Sequence, residues 1–207
     1  MYTPPAFRDD DLGSMHRTMR SARLANLITA TEIGLMATPL PLFLDEAESE
    51  HGVLYGHIAK ANPQWKAPAI GDAMAIFTGP DAYITPSWYA TKQESGKVVP
   101  TWNYVAVHAY GPAEFFEDAG RLLDVVTRLT TLHEGERARP WTVSDAPADF
   151  VVAQLRGIVG VRMPIARIEG KRKMSQNRVE ADRRGVAAGL AQSERPIERD
   201  VATLIPI

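Results

Sequence analysis

The sequence predicts a mainly β chain with flanking helices. Short apolar segments separated by turn-forming residues fill its first part, residues 102 to 110 alternate with a period of two, and helical spacing replaces that alternation between Asp118 and His133. At 207 residues the chain is longer than most single domains and short for two. The expected organisation is one β-rich domain with peripheral helices over residues 1 to 180, then a C-terminal helix and loose tail over 181 to 207.

Residues 9 to 21 place Leu12, Met15 and Met19 at helical spacing behind an acidic start, which suits the positive end of a helix dipole. Residues 23 to 31, 35 to 44, 52 to 59 and 73 to 79 follow as strands of a meander, parted by Glu32-Ile33-Gly34, an acidic loop from Asp45 to Glu50, and a bridge through Pro63 and Pro68. In the strand over 102 to 110, Val105, Val107 and Ala109 point one way, while Trp102, Tyr104, His108 and Tyr110 point the other. Leu122, Val125, Leu129 and Leu132 then make the apolar stripe of a helix. A short helix over 150 to 155 ends at Gly157, and residues 159 to 165 return to strand, where Pro164 predicts an edge or a bulge. Lys171-Arg172-Lys173 reads as a basic turn before a last polar helix, with a loose end after Arg195-Pro196.

Composition narrows the function classes. No run approaches the length of a membrane span, the N-terminus lacks the order of a secretory signal, and the default address is cytoplasmic. Zero cysteines exclude disulfides, thiolate nucleophiles and cysteine-ligated metals. No HExxH, GxSxG, P-loop or GxGxxG pattern occurs, so zinc, serine-hydrolase, ATP and dinucleotide chemistry lack support, and no metal site is expected. The net charge of −2 hides an asymmetry: residues 156 to 184 hold nine Arg or Lys against three acids, a surface suited to phosphate.

Three aromatic-polar blocks carry the chemistry. They run from Gly56 to Trp65, from Ala82 to Tyr89 and from Pro100 to Gly111, and they contain three of the four tryptophans and four of the six tyrosines. Flat rings mixed with amides, hydroxyls and cations suit a flat aromatic ligand that ends in an anion. His57, Lys60 and Asn62, just after a strand and before Pro63, would direct a cation, an amide and backbone N–H groups toward that anion. Four rings on one face of the 102 to 110 strand need a cover, whether a partner subunit, a bound ring or a helix.

The ordered set Met1-Tyr2-x-Pro4-x-x-Phe7, Gly56-His57-x-Ala59-x-x-Asn62-Pro63-Gln64-Trp65, Ala82-Tyr83-Ile84-x-x-Ser87-Trp88-Tyr89, Pro100-Thr101-Trp102-Asn103-Tyr104-x-x-Val107-His108-x-Tyr110-Gly111 and Leu155-x-Gly157-Ile158-Val159-Gly160 before Lys173-x-Ser175-Gln176-Asn177-Arg178 resembles the PaiB-type FMN-binding negative transcriptional regulators. The resemblance covers about residues 1 to 180 and implies an FMN-binding split barrel, an antiparallel Greek-key barrel with flanking helices. It further implies FMN as cofactor and a homodimer with the cofactor site at the subunit interface. By comparison with split-barrel flavoproteins, His57, Lys60 and Asn62, with Trp65 closing their block, would meet the phosphate, with Lys173 or Arg178 as second cation. Ser87, Trp88 and Asn103 would meet the ribityl chain and ring, Trp102 is a further cofactor-binding candidate, and Ser175, Gln176 and Asn177 would close the site from the C-terminal side.

The regulator role rests on this resemblance, because no helix-turn-helix or other dedicated DNA reader is legible and DNA as a partner has no motif of its own. A flavin-dependent reductase or oxidase would use the same pocket, and a dimeric barrel holding haem or no cofactor is the third reading.

Overall fold

The computed structural model describes residues 1–207, which fall into two compact units. The first comprises Met1–Thr18, Thr78–Val107 and Glu169–Ile207, the second Met19–Phe77 and His108–Ile168. In chain order the elements begin β1 (Arg8–Asp9), α1 (Leu12–Ala22), β2 (Ala25–Thr31), β3 (Gly34–Leu40), β4 (Leu42–Asp45), β5 (Val53–Ala59), β6 (Ala73–Ile84) and α2 (Thr91–Ser95). They continue β7 (Thr101–Gly111), β8 (Glu114–Phe116), α3 (Ala119–Glu134), α4 (Ala148–Leu155), β9 (Ile158–Pro164), β10 (Arg167–Lys173), α5 (Glu180–Ala191) and α6 (Pro196–Leu204).

In the second unit β2 and β3 form an antiparallel hairpin from Ala25↔Leu40 to Thr31↔Gly34, and β6 pairs with β2. The stretch from 35 to 44, expected as one strand, is two. Pro41, which has no N–H for a ladder, separates β3 from β4. Four antiparallel strands in the order β4-β5-β9-β8 make the other sheet. Strand β9 therefore lies between two neighbours rather than at an edge, and Pro164 is tolerated because it is the terminal residue.

Leu122, Val125 and Leu129 of α3 join Phe43, Phe116 and Leu155 in one apolar cluster. Asp118 starts that helix by accepting a hydrogen bond from the Arg121 N–H at 2.8 Å. Leu132, expected on the same stripe, lies outside the cluster and is half exposed.

In the first unit the strands lie in the order β1-β10-β7-β6. Lys171-Arg172-Lys173, expected as a turn, belongs to β10, and Lys171 pairs with Arg8 of β1. The residues after Pro196 are no loose tail: they form α6, and its Val201 and the following Ile205 are buried against Val186 and Leu190 of α5, Ile84 and Met174. Proline there marks the first turn of a helix, where its missing N–H would have had no intrahelical partner.

The acidic groups on the second unit's sheet predict acid sensitivity. Arg128 lowers the pKa of Asp45, Tyr55 and then Arg162 lower that of Glu48, and Arg121 lowers that of Glu114, each through a side-chain hydrogen bond. Folded-state pKa values below the ordinary 3.8 and 4.5 mean that this stabilisation is complete above the unfolded pKa and is lost as pH falls through the folded one. The urea midpoint should fall as pH drops below about 4.5, with a shallower fall in Glu48→Gln. The pairs are solvent-screened, so 1 M salt should flatten both curves. Parallel pH dependences in the two proteins would exclude Glu48 as a contributor.

Candidate functional site

One face of the first unit gathers rings and cations. Along β7, Asn103 and Val105 point inward while Trp102 and Tyr104 point out, and Trp102 keeps 50% of its surface exposed. Tyr83, on β6, meets Trp102 edge-on with ring centroids 6.2 Å apart. From β10, Lys171 and Lys173 lie two residues apart and so share a face. The Lys171 ammonium sits 5.1 Å from the Tyr104 ring centroid, and the Lys173 ammonium donates to Thr101 Oγ1 at 2.5 Å.

Neither lysine has a carboxylate in ion-pair range, although Lys171 is only 8% exposed. Burial pushes the Lys173 pKa down and the neighbouring Lys171 charge pushes it the same way, against Tyr104. A bound anion would reverse that balance by favouring the ammonium form.

Around this face the segments are held tightly. Asn103 is fully buried, and its Nδ2 donates to Ser175 Oγ at 3.0 Å. Ser175 has a left-handed φ of 61°, and its carbonyl accepts from the Arg178 N–H at 2.9 Å, so the chain leaves β10 in a fixed turn. Gln176 braces the turn through Met174 N and the Arg172 carbonyl. Asn177 is exposed, and the Arg178 guanidinium lies 4.6 Å over the Tyr89 ring.

Ser87 and Trp88 occupy a short 3-10 turn, Pro86–Trp88, whose start is capped by Thr85 Oγ1 on the Ser87 N–H. Ser87 Oγ accepts from Lys92 Nζ at 3.3 Å. Trp88 is packed against α5: a Cβ at Gly185 would come 2.0 Å from the Trp88 carbonyl oxygen, and one at Gly189 2.3 Å from its ring. One turn earlier, buried Asp182 accepts from Thr91 N and Oγ1 at 3.0 and 2.8 Å, fixing the chain just beyond that turn.

The remaining sequence-predicted residues belong to the second unit. Lys60 pairs with Glu117 at 2.6 Å, and its carbonyl accepts from the Trp65 indole at 3.0 Å. Asn62 caps the turn Pro63–Trp65 through Gln64 N and donates to Thr38 Oγ1 at 2.8 Å. His57 is half-buried on β5, and burial pushes its pKa down.

Tyr83, Thr101 and Lys171, on the same face, are not among the sequence-predicted residues. Strand alternation across 169 to 173 would have placed Lys171 beside Lys173. No cluster of His, Cys, Asp or Glu is arranged to hold a metal, and no helix is long and apolar enough to cross a membrane.

The first-unit face fits FMN by its donor set. Exposed rings can flank the isoalloxazine, Thr101 offers a hydroxyl to the ribityl chain, and two ammonium groups without carboxylate partners suit the phosphate.

A family model described as "Putative FMN-binding domain" matches residues 1–167. The "Protease synthase and sporulation protein PAI 2" of Bacillus subtilis is 32% identical over 206 residues, covering 99% of this chain and 96% of that one. Among solved structures, the conserved protein Rv2991 of Mycobacterium tuberculosis superposes with a TM-score of 0.58 at 14% identity, covering 87% of this chain and 95% of that one. The FAD and haem binding protein of Mycobacterium smegmatis gives 0.57 at 14% identity, covering 80% of this chain and 73% of that one. The antiparallel sheets with flanking helices thus form the split-barrel fold that these structures share. With its family match over most of its length and a relative 32% identical from end to end, the chain belongs to the PaiB-type FMN-binding family.

Proposed function

We propose that this FMN-binding protein works as a cytoplasmic homodimeric regulator, with its flavin on the face of Trp102, Tyr83, Lys171 and Lys173 and a second copy covering that face. The carrying observation is the pair of lysines without carboxylate partners beside half-exposed rings. Cations so placed and partly dehydrated suit a phosphate dianion, and rings left in water suit a flat cover. FMN supplies the electron transfer when bound. Lys171 and Lys173 would hold its phosphate, Trp102 and Tyr83 would flank its ring system, and Thr101 and Ser87 would orient the ribityl chain. The buried Asn103–Ser175 pair, with Gln176, keeps the end of β10 in place, leaving Asn177 and Arg178 to close the rim.

Lys60 has a carboxylate partner in Glu117, whereas Lys171 and Lys173 donate only to neutral oxygens, the Tyr2 carbonyl and Thr101 Oγ1, which favours the lysines of β10 for the phosphate. Lys171→Ala with Lys173→Ala should lower the FMN retained on native purification by about 100-fold, since each charge-assisted bond contributes about 1.5–3 kcal/mol. Lys60→Ala with Asn62→Ala should keep its flavin. A folded β10 variant with full flavin content, read from its visible absorption, would overturn the placement.

The half-exposed Trp102 ring also leaves room for a reductant, so a flavin-dependent reductase is the second reading. Anaerobic bleaching by NAD(P)H would support the reductase. A DNA mobility shift confined to one sequence would support the regulator, whereas sequence-independent, salt-sensitive binding reports phosphate contacts only. Sedimentation equilibrium tests the dimer.

A further inference from the structure

A cavity of about 260 Å³ in the second unit is lined from β5, α3, α4 and β9, and from the residues that precede α4. Its wall contains no charged side chain. His57 reaches it from β5, and the imidazole makes no hydrogen bond or ion pair with the rest of the chain. Trp141 and Phe150 line the same space while 48% and 55% exposed, so two large rings are left in water. Thr130 and Gln154 are the other polar groups of the wall.

These features restrict the occupant. A charged ligand would lose its hydration without gaining a partner, which excludes phosphates, carboxylates and ammonium groups. The volume suits one or two rings and is small for a nucleotide or a peptide. Burial lowers the His57 pKa from the ordinary 6.5, so the ring is neutral at pH 7 and offers one donor and one acceptor. A single hydroxyl can use either nitrogen, and an aromatic body would cover Trp141 and Phe150.

We propose that this cavity binds a small uncharged aromatic alcohol, with His57 as the hydrogen-bond partner of its hydroxyl and Trp141 and Phe150 against its ring. The cavity's lining shares no residue with the proposed flavin face.

The test is calorimetric titration of 1-naphthol into the FMN-loaded protein, with flavin absorbance followed throughout. One site per chain is expected. His57→Leu should bind about tenfold more weakly, the worth of one hydrogen bond to a buried group. Ala146→Trp places an indole in the cavity from just before α4, and it should abolish binding while retaining flavin. Absence of binding to the unaltered protein, equal affinity in His57→Leu, or undiminished binding to a folded Ala146→Trp would overturn the proposal. Release of FMN on titration would equally overturn it, because the cavity would then belong to the flavin site.

Discussion

Gly185→Ala should destabilise the protein by about 3 kcal/mol, the scale of overpacking in a close-packed interior. The new methyl would sit 2.0 Å from the Trp88 carbonyl oxygen, a backbone atom that cannot rotate aside. Either α5 must lift or the turn Pro86–Trp88 must shift, and both movements disturb the cluster of Tyr89, Val186, Leu190 and Val201. Intrinsic helix propensity acts in the opposite direction, favouring alanine over glycine by about 1 kcal/mol in a helix interior. The sign of the change therefore separates the two effects. Urea unfolding followed by far-UV circular dichroism measures it, and Arg184→Ala, at an exposed position on the same helix, provides the control. A gain in stability for Gly185→Ala would mean that the helix does not approach Trp88 so closely.

Trp88 also shows where a sequence stops being informative. The run Ser87-Trp88-Tyr89 announces a special turn, and its prolines announce a restricted backbone. What lies over the tryptophan is set by Gly185 and Gly189, almost a hundred residues later, and spacing within a helix does not name its partner. Period-two alternation across β7 was legible because it is local, as was the α3 stripe through Leu129. The place of β9 within its sheet was not, because a proline at a strand terminus and a proline at a sheet edge look alike in one dimension. Pro196 misled for a related reason: the residue that stops a helix is also the one best accepted at its first turn.

The same division runs through the site. Rings and cations on adjoining strands could be assigned to one face once β10 is recognised as a strand, and Lys173 stands in a motif that the sequence shows. Lys171 was hidden by reading three consecutive basic residues as a turn. The absence of an ion pair at either lysine is a tertiary fact, since it depends on which acids the fold brings near.

Gln64→Leu should lose about 3 kcal/mol, because the Asn62-Pro63-Gln64-Trp65 motif has a structural member whose work is buried. Gln64 is 1% exposed. Its Nε2 donates to the Leu27 carbonyl at 3.2 Å, to Thr29 Oγ1 at 3.1 Å and to the Met36 carbonyl at 3.3 Å, while its Oε1 accepts from Thr38 Oγ1 at 2.5 Å. One side chain thus ties β2 to β3. Leucine fills similar volume and leaves these groups without that partner, so the cost measures lost hydrogen bonding rather than a cavity. Gln64→Glu makes the sharper test. At pH 7 it would turn a carboxylate toward two carbonyl oxygens in a dry site, so it should be less stable than Gln64→Leu. Burial raises the folded-state pKa of such a glutamate above the unfolded value, so its penalty is complete above the folded pKa and shrinks as pH falls through it. Urea midpoints of the two variants should therefore converge between pH 7 and pH 5, where the unaltered carboxylates of the second unit still contribute fully. A constant gap between them would show that water reaches position 64.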